Sequence, residues 1–167
     1  MSSTRILAAA SLLALSGAYT AFTAVPAWAA DTSSTPAPAA KKDVLAAARE
    51  QIAAKRWPAA IAELKKVDAT GSADWNNLLG YALRKQTPPD LDGSERYYNE
   101  ALRIDPAHRG TLEYSGELYL MKGDLPKAEQ RLATLNKVCG GTCEEYADLK
   151  KAIAAYKANG NRVVSTY

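Results

Sequence analysis

The chain has 167 residues, enough for one domain, with 47% hydrophobic and 23% charged residues and a formal net charge of +3. That balance belongs to a globular protein and excludes a chain too polar to bury a core. It also excludes the basic excess that draws a protein to nucleic acid, because Lys65-Lys66, Arg84-Lys85 and Lys150-Lys151 are doublets scattered among acids, as on solvated helix faces.

Residues 1–29 carry one early Arg5, a long uncharged stretch and the small-residue exit Ala27-Trp28-Ala29. The pattern predicts a secretory signal peptide cleaved before Ala30, and so an exported protein of a bacterial-type periplasm. By length alone the uncharged run could instead span a bilayer as an uncleaved anchor, the one route to membrane contact. Ser, Thr, Gly and Tyr dilute its hydrophobicity, however, and Pro26 precedes the exit. Cleavage leaves 138 residues with a net charge of +2. Residues 30–42, with two prolines and almost nothing to bury, read as a flexible linker.

From Asp43 onward apolar residues recur at intervals of three and four, which is the period of a helix. The spacing predicts helices over 43–55, 58–68, 73–86, 93–104, 107–122, 125–138 and 143–158, an all-α chain. Local chemistry supplies the stops and starts. Gly123 can take the left-handed conformation that ends a helix, and Asp124 can cap the next. Pro106 cannot continue the helix before it but suits the first turn of the one after. Asp92 with Glu95, and Thr142 with Glu145, have the spacing of reciprocal N-terminal caps. Asn159-Gly160 should end the last helix.

Comparison of the chain with itself is more informative. Ala60, Ser94 and Ala128 open the second helix of successive pairs and lie 34 residues apart in both intervals. The middle unit, 73–106, has Trp75, Leu79-Gly80, Ser94, Tyr98, Ala101 and Pro106. The third, 107–138, has Gly116, Tyr119, Ala128 and Leu132. The first, 43–72, keeps Ala47-Ala48, Ala60, Leu64 and Val67 but lacks an opening aromatic. Between Gly80 and Ala101 the chain is two residues longer than the pattern of the repeats it resembles expects, and residues 87–91 are the place for them.

On these residues the chain resembles the tetratricopeptide repeat family, whose units run 34 residues with small residues where paired helices cross and aromatics between pairs. The resemblance covers about 43–138 and implies a right-handed superhelical α-solenoid of about three helix hairpins. The physical logic is independent of the name: Gly80 facing Ser94, and Gly116 facing Ala128, would let each pair nest. Tyr98, Leu132, Leu83 and Tyr119 would then fill the space between pairs.

Residues 139–160 follow as a Cys-flanked turn and a helix whose Tyr146, Leu149, Ile153 and Tyr156 form one apolar stripe, as a cap on the stack would, and 161–167 are a tail. Cys139 and Cys143 are the only cysteines. In an exported chain a structural disulfide is the leading expectation, with Gly140 and Gly141 supplying the turn. The alternative is a thiol redox or metal-delivery site with the repeats docking a client, although the spacing is one residue longer than that of the familiar oxidoreductase motif.

Catalytic motifs and cofactor cradles are absent from the sequence; the sole histidine, His108, reads as a solvent-facing residue at a helix start. The expected function is therefore non-catalytic, needing no cofactor: binding a peptide or partner protein, with self-association a further possibility. The family resemblance implies that the first helix of each pair lines a concave surface. By position its exposed face would include Arg49, Asn77, Tyr81, Arg84, Lys85, Glu113, Tyr114, Glu117 and Met121. The family's clamp for a C-terminal carboxylate does not carry over, because Leu45, Gly110 and Tyr114 stand at three of its positions.

Overall fold

A computed structural model describes residues 43–163; the expected leader (1–29), the linker (30–42) and the end of the tail lie outside the described residues. Seven helices follow in order: α1 (Ala46–Ala53), α2 (Trp57–Lys65), α3 (Ala73–Lys85), α4 (Leu91–Ile104), α5 (Arg109–Met121), α6 (Leu125–Cys139) and α7 (Glu144–Ala158). The described residues contain no strand.

Several helix starts differ from the sequence expectation, and at α4 and α5 the reason is that another group caps the free backbone amides. Asp90, not Asp92, caps α4, its Oδ1 accepting from Gly93 N at 2.8 Å, so the helix begins two residues early. Asp92 and Glu95 turn outward and share Lys122 as an ion-pair partner. Pro106 lies in the turn ahead of α5 rather than in its first turn, and His108 caps that helix. Thr142 and Glu145 form no capping box on α7: Thr142 Oγ1 donates to the Cys139 carbonyl at 2.8 Å, and Glu145 faces Arg109 at 3.6 Å. The Gly123-Asp124 junction does form as expected, with φ of 78° at Gly123 and Asp124 Oδ1 accepting from Lys127 N at 3.1 Å.

Each helix packs on the next, and in addition α1 touches α3, α3 touches α5 and α5 touches α7. The backbones of α2 and α4, and of α4 and α6, do not approach in this way, and the second gap is spanned by side chains, Arg131 Nη2 donating to Asn99 Oδ1 at 3.5 Å. The odd helices therefore form one close layer and the even helices a second, more widely spaced one. Apolar residues of α1–α3 (Leu45, Ala48, Leu64, Trp75, Leu79) make one buried cluster, and those of α5–α7 (Leu112, Tyr119, Leu120, Ala128, Leu135, Leu149, Ile153, Tyr156) a second. Trp75 is oriented by its Nε1, which donates to the Leu64 carbonyl at 2.8 Å.

Between the clusters α3 and α4 cross on small residues. Ser94 Oγ donates to the Gly80 carbonyl at 2.7 Å, and a Cβ on Gly80 would stand 2.8 Å from two atoms of the fully buried Tyr98 ring. Ala101 is also fully buried. Gly116 works differently from the expectation that it faces Ala128. A Cβ there would first meet the Leu149 methyls at 2.5 and 2.6 Å, so its missing side chain makes room for α7.

Cys139, the last residue of α6, is disulfide-bonded to Cys143 at the start of α7, with Cα atoms 5.8 Å apart. Gly140 and Gly141 both have positive φ, 62° and 73°, which is how the chain reverses within the bridge. For so small a loop the chain-entropy argument gives about 2 kcal/mol of stabilisation.

The crossing predicts the outcome of one substitution. Gly80→Ala gains roughly 1 kcal/mol of helix propensity but drives a methyl into an aromatic ring with nowhere to move, typically costing 1–3 kcal/mol. Urea denaturation should show a net loss of about 1 kcal/mol.

Candidate partner-binding groove

Helical spacing places Asn77, Tyr81, Arg84 and Lys85 along one side of α3, and Glu113, Tyr114, Glu117 and Met121 along one side of α5. Because α3 and α5 are neighbours in the odd layer, the two rows meet. At their centre Arg84, with only 6% of its side chain exposed, places Nη2 2.6 Å from Glu117 Oε2 and Nη1 3.9 Å from Met121 Sδ. Its guanidinium lies 5.5 Å from the Tyr81 ring centre and 5.8 Å from that of Tyr114. The two rings are 4.7 Å apart, and Trp57 of α2 meets Tyr81 edge-on at 5.8 Å. A buried cation thus has a carboxylate on one side and two electron-rich faces on the other.

This environment sets the proton affinities around it. Burial opposes the charge on Arg84, but the Tyr98 hydroxyl and Glu117 outweigh it, and the guanidinium holds its proton more tightly than in water. Burial pushes the Tyr98 hydroxyl up to about 12 despite the pull of Arg84. Tyr81 and Tyr114 are raised as well, first by burial. Glu113 is pushed up to about 8 by burial and then by the charges of Glu117, Asp148 and Glu145, against which Arg84 is the opposing cation. Lys85 is lowered, first by burial and then by Arg84 and Lys55, with Glu117 pulling the other way.

Two cavities flank the centre. One, of about 390 Å³, lies between α3, α5 and α7 and is lined by Arg84, Lys85, Glu113, Glu117, Leu120 and Met121 together with Asp148, Lys151, Ala152, Ala155, Tyr156 and Val163. The other, of about 570 Å³, is lined by Lys55, Trp57, Arg84, Lys85, Gln86, Thr87 and Pro89. Arg84 and Lys85 line both, so the cavities lie side by side across the end of α3 as one interrupted groove.

Five of the nine residues expected on the exposed face therefore line a cavity: Arg84, Lys85, Glu113, Glu117 and Met121. The other four are not in these linings, and the expected exposure fails for Asn77 and Arg84. Asn77 is buried, 6% exposed, under the start of α5, where a Cβ on Gly110 would come 3.6 Å from its Nδ2; its Oδ1 has no hydrogen-bond partner among the described residues. Arg84, although it lines both cavities, is likewise buried rather than exposed. Tyr81 and Tyr114 are half-buried and cover Arg84 instead of lining space. Arg49 lies apart on α1, paired with Asp43 and Asp74, each at 3.5 Å.

His108 is not the solvated residue expected. Its Nδ1 accepts from Thr111 N at 3.1 Å, which leaves the proton on Nε2, 3.0 Å from Asp74 Oδ1. The ring so caps α5 and ties it to the start of α3. Sequence reasoning also missed Lys55, Trp57 and the whole contribution of α7, which it treated only as a cover for the stack. The available signal was Asp148 and Lys151 on the side of α7 next to its apolar stripe.

Two outcomes follow. Glu117→Ala leaves Arg84 buried without its carboxylate and should cost about 2–3 kcal/mol in urea denaturation, whereas the double variant Arg84→Met/Glu117→Leu should recover most of it. For Glu113 the folded-state pKa lies above the unfolded one, so its contribution to stability is complete below the ordinary carboxylate range and is lost as pH rises through about 8. The melting temperature should fall between pH 5 and pH 9 by less in Glu113→Gln than in the parent. No protein-family model matches the chain, and no curated protein matches it in sequence.

Proposed function

We propose that residues 43–138 are three tetratricopeptide-type hairpins of a right-handed superhelical solenoid, closed by α7, and that the protein is an exported, non-catalytic adaptor of the cell envelope. Its groove takes a peptide or an extended segment of a partner protein. The observation that carries this reading is the pair of adjoining cavities that meet at the end of α3, where both are lined by Arg84 and Lys85. Close packing of one layer and separation of the other is the arrangement that curves a stack of hairpins and makes the close layer concave.

The groove's chemistry suits a peptide better than a small metabolite. It is elongated across several helices, and it mixes apolar surface from Met121, Leu120 and Tyr156 with charges of both signs. The side chains at its centre are already fixed by ion pairing and ring contacts, so little ordering cost attends binding. A bridged Cys139–Cys143 pair agrees with an oxidising compartment and, on this reading, holds α6 and α7 in register as part of the groove's frame.

Site-specific photocrosslinking tests the surface. With a photoreactive residue at Met121, irradiation of a bacterial host exporting the full chain should yield discrete adducts with envelope proteins. The same residue at Gln130, exposed on α6, should yield few. Equal yields from both positions would remove the groove from consideration.

A further inference from the structure

We infer that Met121 is a site of reversible oxidation and that its sulfoxide is received by Arg84. The inference concerns the chemistry of one side chain and stands apart from whether the groove holds a peptide.

The chain has two methionines and two cysteines. Met1 belongs to the expected leader and both cysteines are joined to each other, so among the described residues Met121 is the one sulfur left for an oxidant. It is the last residue of α5, half-buried, and its side chain lines the 390 Å³ cavity between α3, α5 and α7. Hydrogen peroxide is little larger than water and fits such a space. The step balances with no further reagent: a lone pair of Sδ attacks one peroxide oxygen, and the S–O bond forms as the O–O bond breaks. The sulfur gives up an electron pair, and the other oxygen leaves as hydroxide, which takes the proton of the first and becomes water.

What distinguishes this methionine is the donor already facing it. Arg84 Nη1 donates to Sδ at 3.9 Å, while Nη2 donates to Glu117 Oε2 at 2.6 Å. A thioether is a weak acceptor, whereas the oxygen of a sulfoxide is polar and strong. Because the methionine side chain turns easily about its bonds, the new oxygen can swing onto Nη1 of a guanidinium that is almost wholly buried. A sulfoxide forced into a packed region ordinarily leaves a polar group unpaired and weakens the fold. Here the fold supplies the partner, the ion pair to Glu117 is kept on the other nitrogen, and the cavity exchanges an apolar wall for a polar one. A methionine sulfoxide reductase reverses the change, removing the oxygen as water while a dithiol is oxidised to a disulfide.

The test treats the full chain with hydrogen peroxide, folded or in urea, and locates the added oxygen by peptide mass spectrometry. The folded chain should take up one oxygen at Met121, at a rate within about tenfold of the urea-unfolded chain. A methionine sulfoxide reductase with dithiothreitol should return the folded chain to its original mass. The melting temperature of the oxidised parent should stay within about 2 °C of the reduced one. In Arg84→Leu/Glu117→Leu, which removes the donor and its acid together, oxidation should lower it by about 4 °C or more, because the sulfoxide is left unpaired. A measurement on the parent alone covers a double variant that does not fold: on oxidation the NMR signals of the Arg84 guanidinium protons should shift, and their exchange with water should slow about tenfold. Met121→Leu treated alike should show none of these changes. A folded chain that resists peroxide while the unfolded chain takes up oxygen overturns the site. An oxidised parent that melts as far below its reduced form as the double variant does, or whose Arg84 protons are unmoved, overturns the role of Arg84 and the proposal with it.

Discussion

The arrangement of α3 against α5 depends on one buried charge. Arg84 has lost most of its water, and it is tolerable there only because Glu117 neutralises it and two tyrosine faces receive its guanidinium. A lysine could not stand in: the planar fork can reach Glu117 and Met121 while lying against rings, whereas an ammonium is a compact, strongly hydrated point. Since each of these partners comes from α3 or α5, the contact fixes the relative height of the two helices. That in turn decides where the cavities on either side open.

Around that contact, side-chain size sets the spacing of the layers. Gly80 and Ser94 let α3 and α4 approach until Tyr98 fills the gap, and Gly116 gives Leu149 of α7 the space against α5. The even helices have no comparable meeting with one another. The two layers therefore differ in spacing, and the polar and aromatic rows of α3 and α5 belong to the closer one.

The helices were legible in the sequence because their punctuation is local: a glycine able to adopt positive φ, an aspartate after it, a proline that stops a ladder. The caps were less so. Asp90 and Asp92 are chemically equal candidates, and the choice between them is made by the preceding loop, which returns Asp90 N to the Leu83 carbonyl at 3.0 Å. Imidazole is an uncommon cap, and His108 acquires the role only because Asp74, far off in sequence, takes the other ring nitrogen. The rows of α3 and α5 could be read from spacing, but not which of their members are covered. Asn77 and Arg84 vanish from the surface because α5 lies over them, a fact about the neighbour that periodicity within one helix does not contain. The share of α7 in the groove was hidden for the opposite reason: its apolar stripe accounted for the helix so well that the adjacent charged side drew no notice.

The connection from α3 to α4 has a bearing on how such a protein diversifies. It lies where Gly80 and Ser94 stand two residues farther apart than Gly116 and Ala128, and two of its members, Thr87 and Pro89, are cavity walls. Both ends are anchored, one by the backbone bond to Leu83 and the other by the Asp90 cap. Lengthening or shortening the strip between those anchors would reshape the mouth of the pocket while the helices on which it is mounted stay put. The rim of this cavity can therefore be reshaped through a handful of surface positions, with the scaffold's folding left undisturbed.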